Sequence, residues 1–202
     1  MQSSSKKIVE ICGLPGVGKT TIARKLTLDT NIDRVILTKK SRIVTNYCLG
    51  FIVRPKTFVY GLYFAMKHAD SWFNFWNNHV YRYARYSSAL RSKLPICILD
   101  EGPHQSIFSY AIDGLTEKEF KHYVEHTPKA DLTILLTVSE EKRQQNLNKR
   151  RIQQPENINR REMHDNLKSA QAFLSTYFVQ MPCAQIVHTS EEAERLIRQC
   201  SV

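Results

Sequence analysis

From residue 13 to residue 20 the chain reads Gly13-Leu14-Pro15-Gly16-Val17-Gly18-Lys19-Thr20, filling the pattern G-x-x-x-x-G-K-[ST] at every fixed position. These residue types at this spacing suit one task, the holding of a run of phosphates. Glycines let successive backbone N–H groups converge on phosphate oxygens, the ammonium of Lys19 reaches the outer phosphates, and the Thr20 hydroxyl is a ligand for Mg²⁺. An apolar run, Ile8-Val9-Glu10-Ile11-Cys12, precedes the loop, and Thr21-Ile22-Ala23-Arg24-Lys25-Leu26 follows it as a helix. Strand before and helix after turn the positive helix N-terminus, Thr21 included, toward the bound anion.

A second group able to do chemistry ends another apolar run, Pro95-Ile96-Cys97-Ile98-Leu99-Asp100-Glu101-Gly102. Asp100 stands where a nucleotide enzyme keeps an acid for Mg²⁺ or its waters. Glu101 beside it is placed to accept a proton from an acceptor hydroxyl or to orient a water, and the sequence leaves open which carboxylate is the base. The other reading of Asp100-Glu101-Gly102-Pro103 is a plain turn after a strand. A third group is basic. Arg143 and Arg150 lie seven residues apart, two turns along one helical face, with Lys149 and Arg151 adjoining. Planar guanidinium donors there would neutralise charge on transferred phosphoryl oxygens; the alternative is a solvated helix face.

The elements that must position these groups alternate in the manner of an α/β domain with a parallel sheet. Five strands are expected, Lys7 to Cys12, Arg34 to Leu37, Ile96 to Asp100, Leu132 to Val138 and Ala184 to His188. Helical patterns fill Lys19 to Asp29, Ser41 to Lys93, Thr116 to His126, Glu140 to Ile152, Glu156 to Gln180, and Ser190 to Cys200. In such a sheet the ligand sits outside the carboxyl ends of the strands, where all three groups fall.

At 202 residues and 42% hydrophobic composition the chain is expected to form one domain with a core that needs no disulfide. Its N-terminus has no room for the apolar core of a secretory signal, and the apolar stretch 57–66, bounded by Lys56 and Lys67, is about half a membrane span. The five cysteines form no C-x-x-C pair, which predicts free thiols and a cytoplasmic setting. No His/Cys cluster has zinc spacing. A formal net charge of +10 favours anionic partners, whether nucleotides, acidic metabolites or nucleic acid.

Taken in order, the phosphate loop between strand and helix, the inserted helical region, the strand ending in Asp100-Glu101-Gly102 and the arginine-bearing helix resemble the P-loop kinase family that includes thymidylate kinase and the nucleoside and nucleotide kinases. The resemblance covers nearly the whole chain. It implies a P-loop NTPase three-layer sandwich whose five-stranded parallel sheet has the order 2-3-1-4-5, with ATP as phosphoryl donor and Mg²⁺. It also implies an acceptor-side helical insertion at about 41–93 and a lid at about 139–161 carrying Arg143, Arg150 or Arg151, and an adenine resting near His188-Thr189-Ser190. Two departures stand out. Relatives carry an acid or acid-arginine pair after the second strand or an Asp-Arg pair after the third, whereas this chain has Thr38-Lys39-Lys40 and Asp100-Glu101.

Eleven of the twenty aromatic residues lie between Phe58 and Tyr86, in the segment that by this resemblance closes over the acceptor. Most are expected to form the core of a helical subdomain or a homodimer surface, with a few ring faces and Arg42, Arg82 or Arg85 left for an acidic or stacking ligand. The leading expectation is therefore an ATP-dependent kinase acting on a small acceptor such as a nucleoside, nucleotide or sugar-like metabolite. A polynucleotide 5′-end kinase and an ATPase or switch without an acceptor are the alternatives. A small GTPase is disfavoured, because Asn148-Lys149-Arg150-Arg151 lacks the aspartate of the guanine-reading signature and no Asp-x-x-Gly follows the third strand.

Overall fold

One sheet is built from β1 (Lys7–Cys12), β2 (Ile32–Arg34), β3 (Ile96–Leu99), β4 (Leu132–Leu136) and β5 (Ala184–Val187), of which β1, β3 and β4 are mostly apolar runs buried on both faces and β2 and β5 are only partly buried. This arrangement comes from a computed structural model that describes residues 6–28, 31–69, 71–111, 115–153 and 161–200, the side chains of 150–153 and 161–166 excepted. The strand order is β2-β3-β1-β4-β5 and every neighbouring pair is parallel. Each parallel step needs a crossover, and the helices supply it.

Those helices are α1 (Lys19–Leu26), α2 (Lys40–Val53), α3 (Pro55–His68), α4 (Trp72–Phe75), α5 (Arg82–Arg91), α6 (Ser106–Tyr110), α7 (Glu117–His126), α8 (Glu140–Gln153), α9 (Arg161–Phe178) and α10 (Ser190–Gln199). They cover both sheet faces. On one face Val9, Ile11, Ile98 and Ile134 pack with Ile22 and Leu26 of α1. On the other, Ile8, Cys97 and Leu99 pack with Tyr86 and Ala89 of α5. Alternate residues of one strand thus serve opposite layers, the period of two that a strand imposes.

Register decides where the functional loops emerge. Glu10 of β1 lies level with Leu99 of β3, so the phosphate loop and Asp100 leave the sheet side by side at one edge. The second strand is three residues long and ends at Arg34, not at Leu37 as expected; the ladder gains one more bond, Val35 N–H to the Ile98 carbonyl, and then stops. Leu37 instead packs with Ile43, Val80 and Ala84 of the helical insertion, which draws the chain off the sheet.

The expected unbroken helical stretch from Ser41 to Lys93 is in fact α2, α3, α4, a six-residue π-helical segment at Trp76–Tyr81, and α5. Pro55 forces the first break, because it has no N–H to continue α2 and sits at the first position of α3. Within this region Phe58, Phe64, Tyr83 and Tyr86 are core residues, while Tyr63, Trp72 and Phe73 are exposed. The apolar stretch 57–66 lies inside α3, and among the described residues no helix is long and apolar enough to cross a membrane. Two further differences concern short elements. A 3₁₀ turn (Pro103–Gln105) running into α6 follows β3 where no helix was expected, and α9 is described from Arg161 to Phe178 against the expected Glu156 to Gln180, with 154–160 outside the described residues.

Candidate active site

The phosphate loop owes its shape to three glycines with positive φ, Gly13 at 146°, Gly16 at 92° and Gly18 at 103°, a region that side chains with a Cβ rarely enter. Gly18 is the N-cap of α1 and its carbonyl accepts from the N–H groups of Thr21 and Ile22. No atom lies within 4 Å of the place a Gly18 Cβ would occupy, so the loop is open on that side. A Cβ on Gly16 would meet Leu147 at 2.9 Å and the Arg143 carbonyl at 3.0 Å. A Cβ on Gly13 would overlap the Leu136 carbonyl oxygen. We therefore expect Gly13→Ala to lose about 2–4 kcal/mol of stability, measured by urea denaturation, from the combined backbone strain and overlap. Unchanged stability would mean that the loop does not hold this shape.

Behind the loop lies a buried support that sequence reading missed. Glu10, fully buried on β1, pairs with His104 Nδ1 at 2.8 Å and accepts from the Gln105 N–H at 3.2 Å. The Gln105 side-chain oxygen then accepts from the Gly13 N–H at 3.0 Å, tying the first glycine of the loop to the segment after β3. Gly102 allows this approach, since a Cβ there would come within 2.6 Å of Glu10 Oε1. The available signal was one carboxylate in an otherwise apolar strand.

Lys19 Nζ donates to the carbonyls of Gly13 (2.8 Å) and Leu14 (3.1 Å), which lays its ammonium across the loop. Thr20 Oγ1 donates to Asp100 Oδ2 at 3.1 Å, bringing together the hydroxyl and carboxylate that the sequence assigned to Mg²⁺. That donor pair is all-oxygen and fits the hard cation, while the open side at Gly18 and the N-terminus of α1 fit its phosphate partners. Nothing near Asp100 in the chain signals that it also carries two guanidinium groups. Arg34 Nη2 reaches Oδ2 at 2.6 Å and Arg85 Nη2 reaches Oδ1 at 2.5 Å. Burial pushes the Asp100 carboxyl up, but Arg85 and Arg34 outweigh it and hold the group at about 2. Arg85, expected to be available to a ligand, is thereby committed to Asp100 and to the Val35 carbonyl.

Glu101 is exposed and shares with the loop a cavity of about 190 Å³. Pro15, Gly16, Gly18, Lys19 and Thr20 of the loop line it together with Arg82, Glu101 and Gln105. Sites that enclose a whole drug-sized ligand run to about 300–1,000 Å³, so this space suits the reacting ends of two substrates rather than their bodies. Leu14 and Val17, at the variable positions of the loop, are buried and anchor it to the core.

The expected lid residues divide. Arg143 reaches the loop, with Nη1 3.5 Å from the Pro15 carbonyl, but Nε and Nη2 bind the Glu140 carboxylate one turn back at 2.8 and 2.7 Å. Asn146 of the same helix donates to the Gly16 carbonyl at 2.7 Å, so α8 is docked on the phosphate loop. Arg150 and Arg151 belong to the last turns of α8, and their side chains lie outside the described residues. His188 follows β5, is exposed, and meets Thr137 Oγ1 at 2.7 Å; Thr189 next to it caps α10. One His/Glu cluster does form among the described residues, outside the His/Cys patterns considered in the sequence. His122, Glu125 and His126 place one ligand atom each within 4.8 Å of the others on the exposed face of α7, a one-turn spacing that zinc patterns with cysteine do not reveal.

Fold, glycine loop and the Lys19–Thr20–Asp100 arrangement define a kinase-like P-loop NTPase. The profile of the AAA domain family matches residues 9–167, and the chain belongs to that family. Among solved structures it is similar to deoxyadenosine kinase from M. mycoides with bound dATP, at 15% identity and a TM-score of 0.55, covering 97% of this chain and 100% of that one. It is also similar to thymidylate kinase from Candida albicans, at 15% identity and a TM-score of 0.54, covering 96% of this chain and 90% of that one. At these identities the likeness is one of fold, and it matches the strand order found here. No curated protein matches the sequence.

Proposed function

We propose that this protein is an ATP-dependent phosphotransferase that moves the γ-phosphoryl group to a small acceptor of the nucleoside, nucleotide or sugar-like kind. The observation that carries the reading is the shared cavity, lined by the open phosphate loop with Lys19 and Thr20 together with Glu101 and Arg82. A donor and an acceptor can meet there end to end. The loop from Gly13 to Thr21 holds the triphosphate of ATP through the N–H groups of Gly16, Gly18, Lys19 and Thr20, since Pro15 has no N–H and Gly13 gives its own to Gln105, and Lys19 leaves its two carbonyls for the β/γ oxygens. Thr20 and Asp100 would hold Mg²⁺, which neutralises charge on the β- and γ-phosphates when bound.

In the transfer step an acceptor oxygen forms a bond to the γ-phosphorus while the bond from that phosphorus to the β,γ-bridging oxygen breaks and ADP departs. Where the acceptor is a hydroxyl, its proton passes to the Glu101 carboxylate, the exposed member of the carboxylate pair. Asp100, tied to two arginines, is unsuited to that task. Arg143, Arg150 and Arg151 would meet charge on the phosphoryl group once α8 moves over it, and His188 would border the adenine. The whole chain acts as one domain, with 41–93 forming the acceptor side. A screen with labelled ATP over nucleosides, nucleotides, sugars and oligonucleotides, with GTP as competing donor, tests the reading. Label is expected on a small acceptor; ATP hydrolysis with label on none, or preference for GTP, would overturn it.

A further inference from the structure

Arg82 sits at the start of α5, is only 9% exposed, and forms part of the wall facing the phosphate loop. Its Nη1 has no hydrogen-bond partner among the described residues, and no carboxylate among them lies within 4.0 Å of its guanidinium. The contrast with Arg85, one turn along the same helix, is informative. Arg85 is as deeply buried, and Asp100 and the Val35 and Glu101 carbonyls satisfy its nitrogens. A buried cation without a counter-charge is costly, and folds keep one where something else supplies the charge. Burial lowers the Arg82 guanidinium below its ordinary value, and the nearby negative charge of Glu101 offsets part of that effect without forming a pair. The donor phosphates already have Lys19, the loop amides and the α1 N-terminus, and Arg82 reaches the same cavity from a separate element, the helical insertion.

We infer that the acceptor carries an oxyanion, a phosphate monoester or a carboxylate, and that Arg82 binds it and makes that charge the condition for acceptance. This rests on the phosphotransferase reading and narrows it. A flat, forked donor matches either anion with two parallel hydrogen bonds, so the two sources share one chemistry. Neutral nucleosides and unmodified sugars leave the guanidinium unmatched and should be poor acceptors.

Binding and transfer are measured separately on matched pairs: nucleosides against their 5′-monophosphates, sugars against their phosphates, and sugars against the corresponding sugar acids. The parent protein should bind one charged member about 10- to 100-fold more tightly than its neutral partner, and Arg82→Gln should erase that difference. Arg82→Lys keeps the charge but not the fork and should recover part of it. Because the unbound guanidinium is unpaired, Arg82→Met should melt no lower than the parent, whereas an arginine kept for packing or internal pairing would lower the melting temperature when removed. Preference for neutral acceptors, a preference that survives Arg82→Gln, a lowered melting temperature for Arg82→Met, or loss of ATP affinity in place of acceptor affinity would each overturn the inference. Arg82-dependent binding of the charged member with no phosphoryl transfer would sink the kinase reading and leave this one standing.

Discussion

Lys19→Ala protein transfers label from ATP at least about a thousandfold more slowly than the parent, and raising the acceptor concentration does not restore the rate. The ammonium is the only strong donor in the loop that can follow charge as it moves toward the leaving ADP, because the amides are fixed by the three positive-φ glycines. In the structure Nζ rests on the Gly13 and Leu14 carbonyls, 2.8 and 3.1 Å away, so it spans the cradle already and needs only a short swing to meet phosphate. Removal leaves the amides and the α1 N-terminus in place, so ATP binding should weaken less than turnover slows. Stability should change by about 1 kcal/mol, the scale of net hydrogen-bond contributions. Single-turnover transfer and calorimetry with ATP separate these effects. A rate within tenfold of the parent would remove Lys19, and with it the phosphate loop, from the chemistry.

Asp100→Asn should damage the fold as well as the reaction, by about 3–5 kcal/mol. The asparagine keeps the shape but not the charge, and Arg85, 3% exposed, then stays buried with only the half-exposed Glu101 carboxylate, 3.9 Å away, as counter-ion. For a chain of this size that is a fall of on the order of 10 °C in melting temperature. The pH dependence carries the same signature. The folded carboxyl is held at about 2 against an ordinary 3.8, so the unfolded chain takes up the proton first as acid is added. The stability this group contributes, about 2 kcal/mol, is complete above pH 4 and lost as pH falls from about 4 toward 2. Urea midpoints of parent and Asp100→Asn should therefore converge across that window and stay apart at neutral pH. Parallel curves would show that the two arginines do not hold the carboxylate ionised. Turnover should fall as well, since Thr20 loses its ionised partner.

How much of this was readable beforehand depends on the distance over which each feature is determined. Gly13 to Thr20 could be read directly, because the need for positive φ at three glycines and for a lysine and a hydroxyl at the start of a helix is met within eight residues. The sheet order followed from resemblance, and the strands followed from apolar runs, with β2 the exception. Of its expected residues 34–37 the last three are apolar, but Val35 and Leu37 are buried by the helical insertion, and alternation alone cannot distinguish sheet burial from helix burial. The insertion read only as a long helical stretch without its internal breaks, although Pro55 marked the first of them.

The site divides along the same line. Lys19, Thr20, Asp100 and Glu101 converge as their positions after β1 and β3 implied, since parallel strands in register deliver their ends to one edge. Arg143 reached that edge too, but the Glu140 carboxylate one turn behind it was the nearer partner. Sequence alone was enough for the phosphate loop, the strand and helix content and the acidic end of β3, because local stereochemistry and periodicity are written in adjacent residues. Only the folded chain decided that Arg34 and Arg85 would clamp Asp100, that Glu10, His104 and Gln105 would brace Gly13, and that Arg82 Nη1 would be left without a hydrogen-bond partner among the described residues. Those are pairings between charges and dipoles far apart in the chain, and which of them form depends on which groups packing removes from water together.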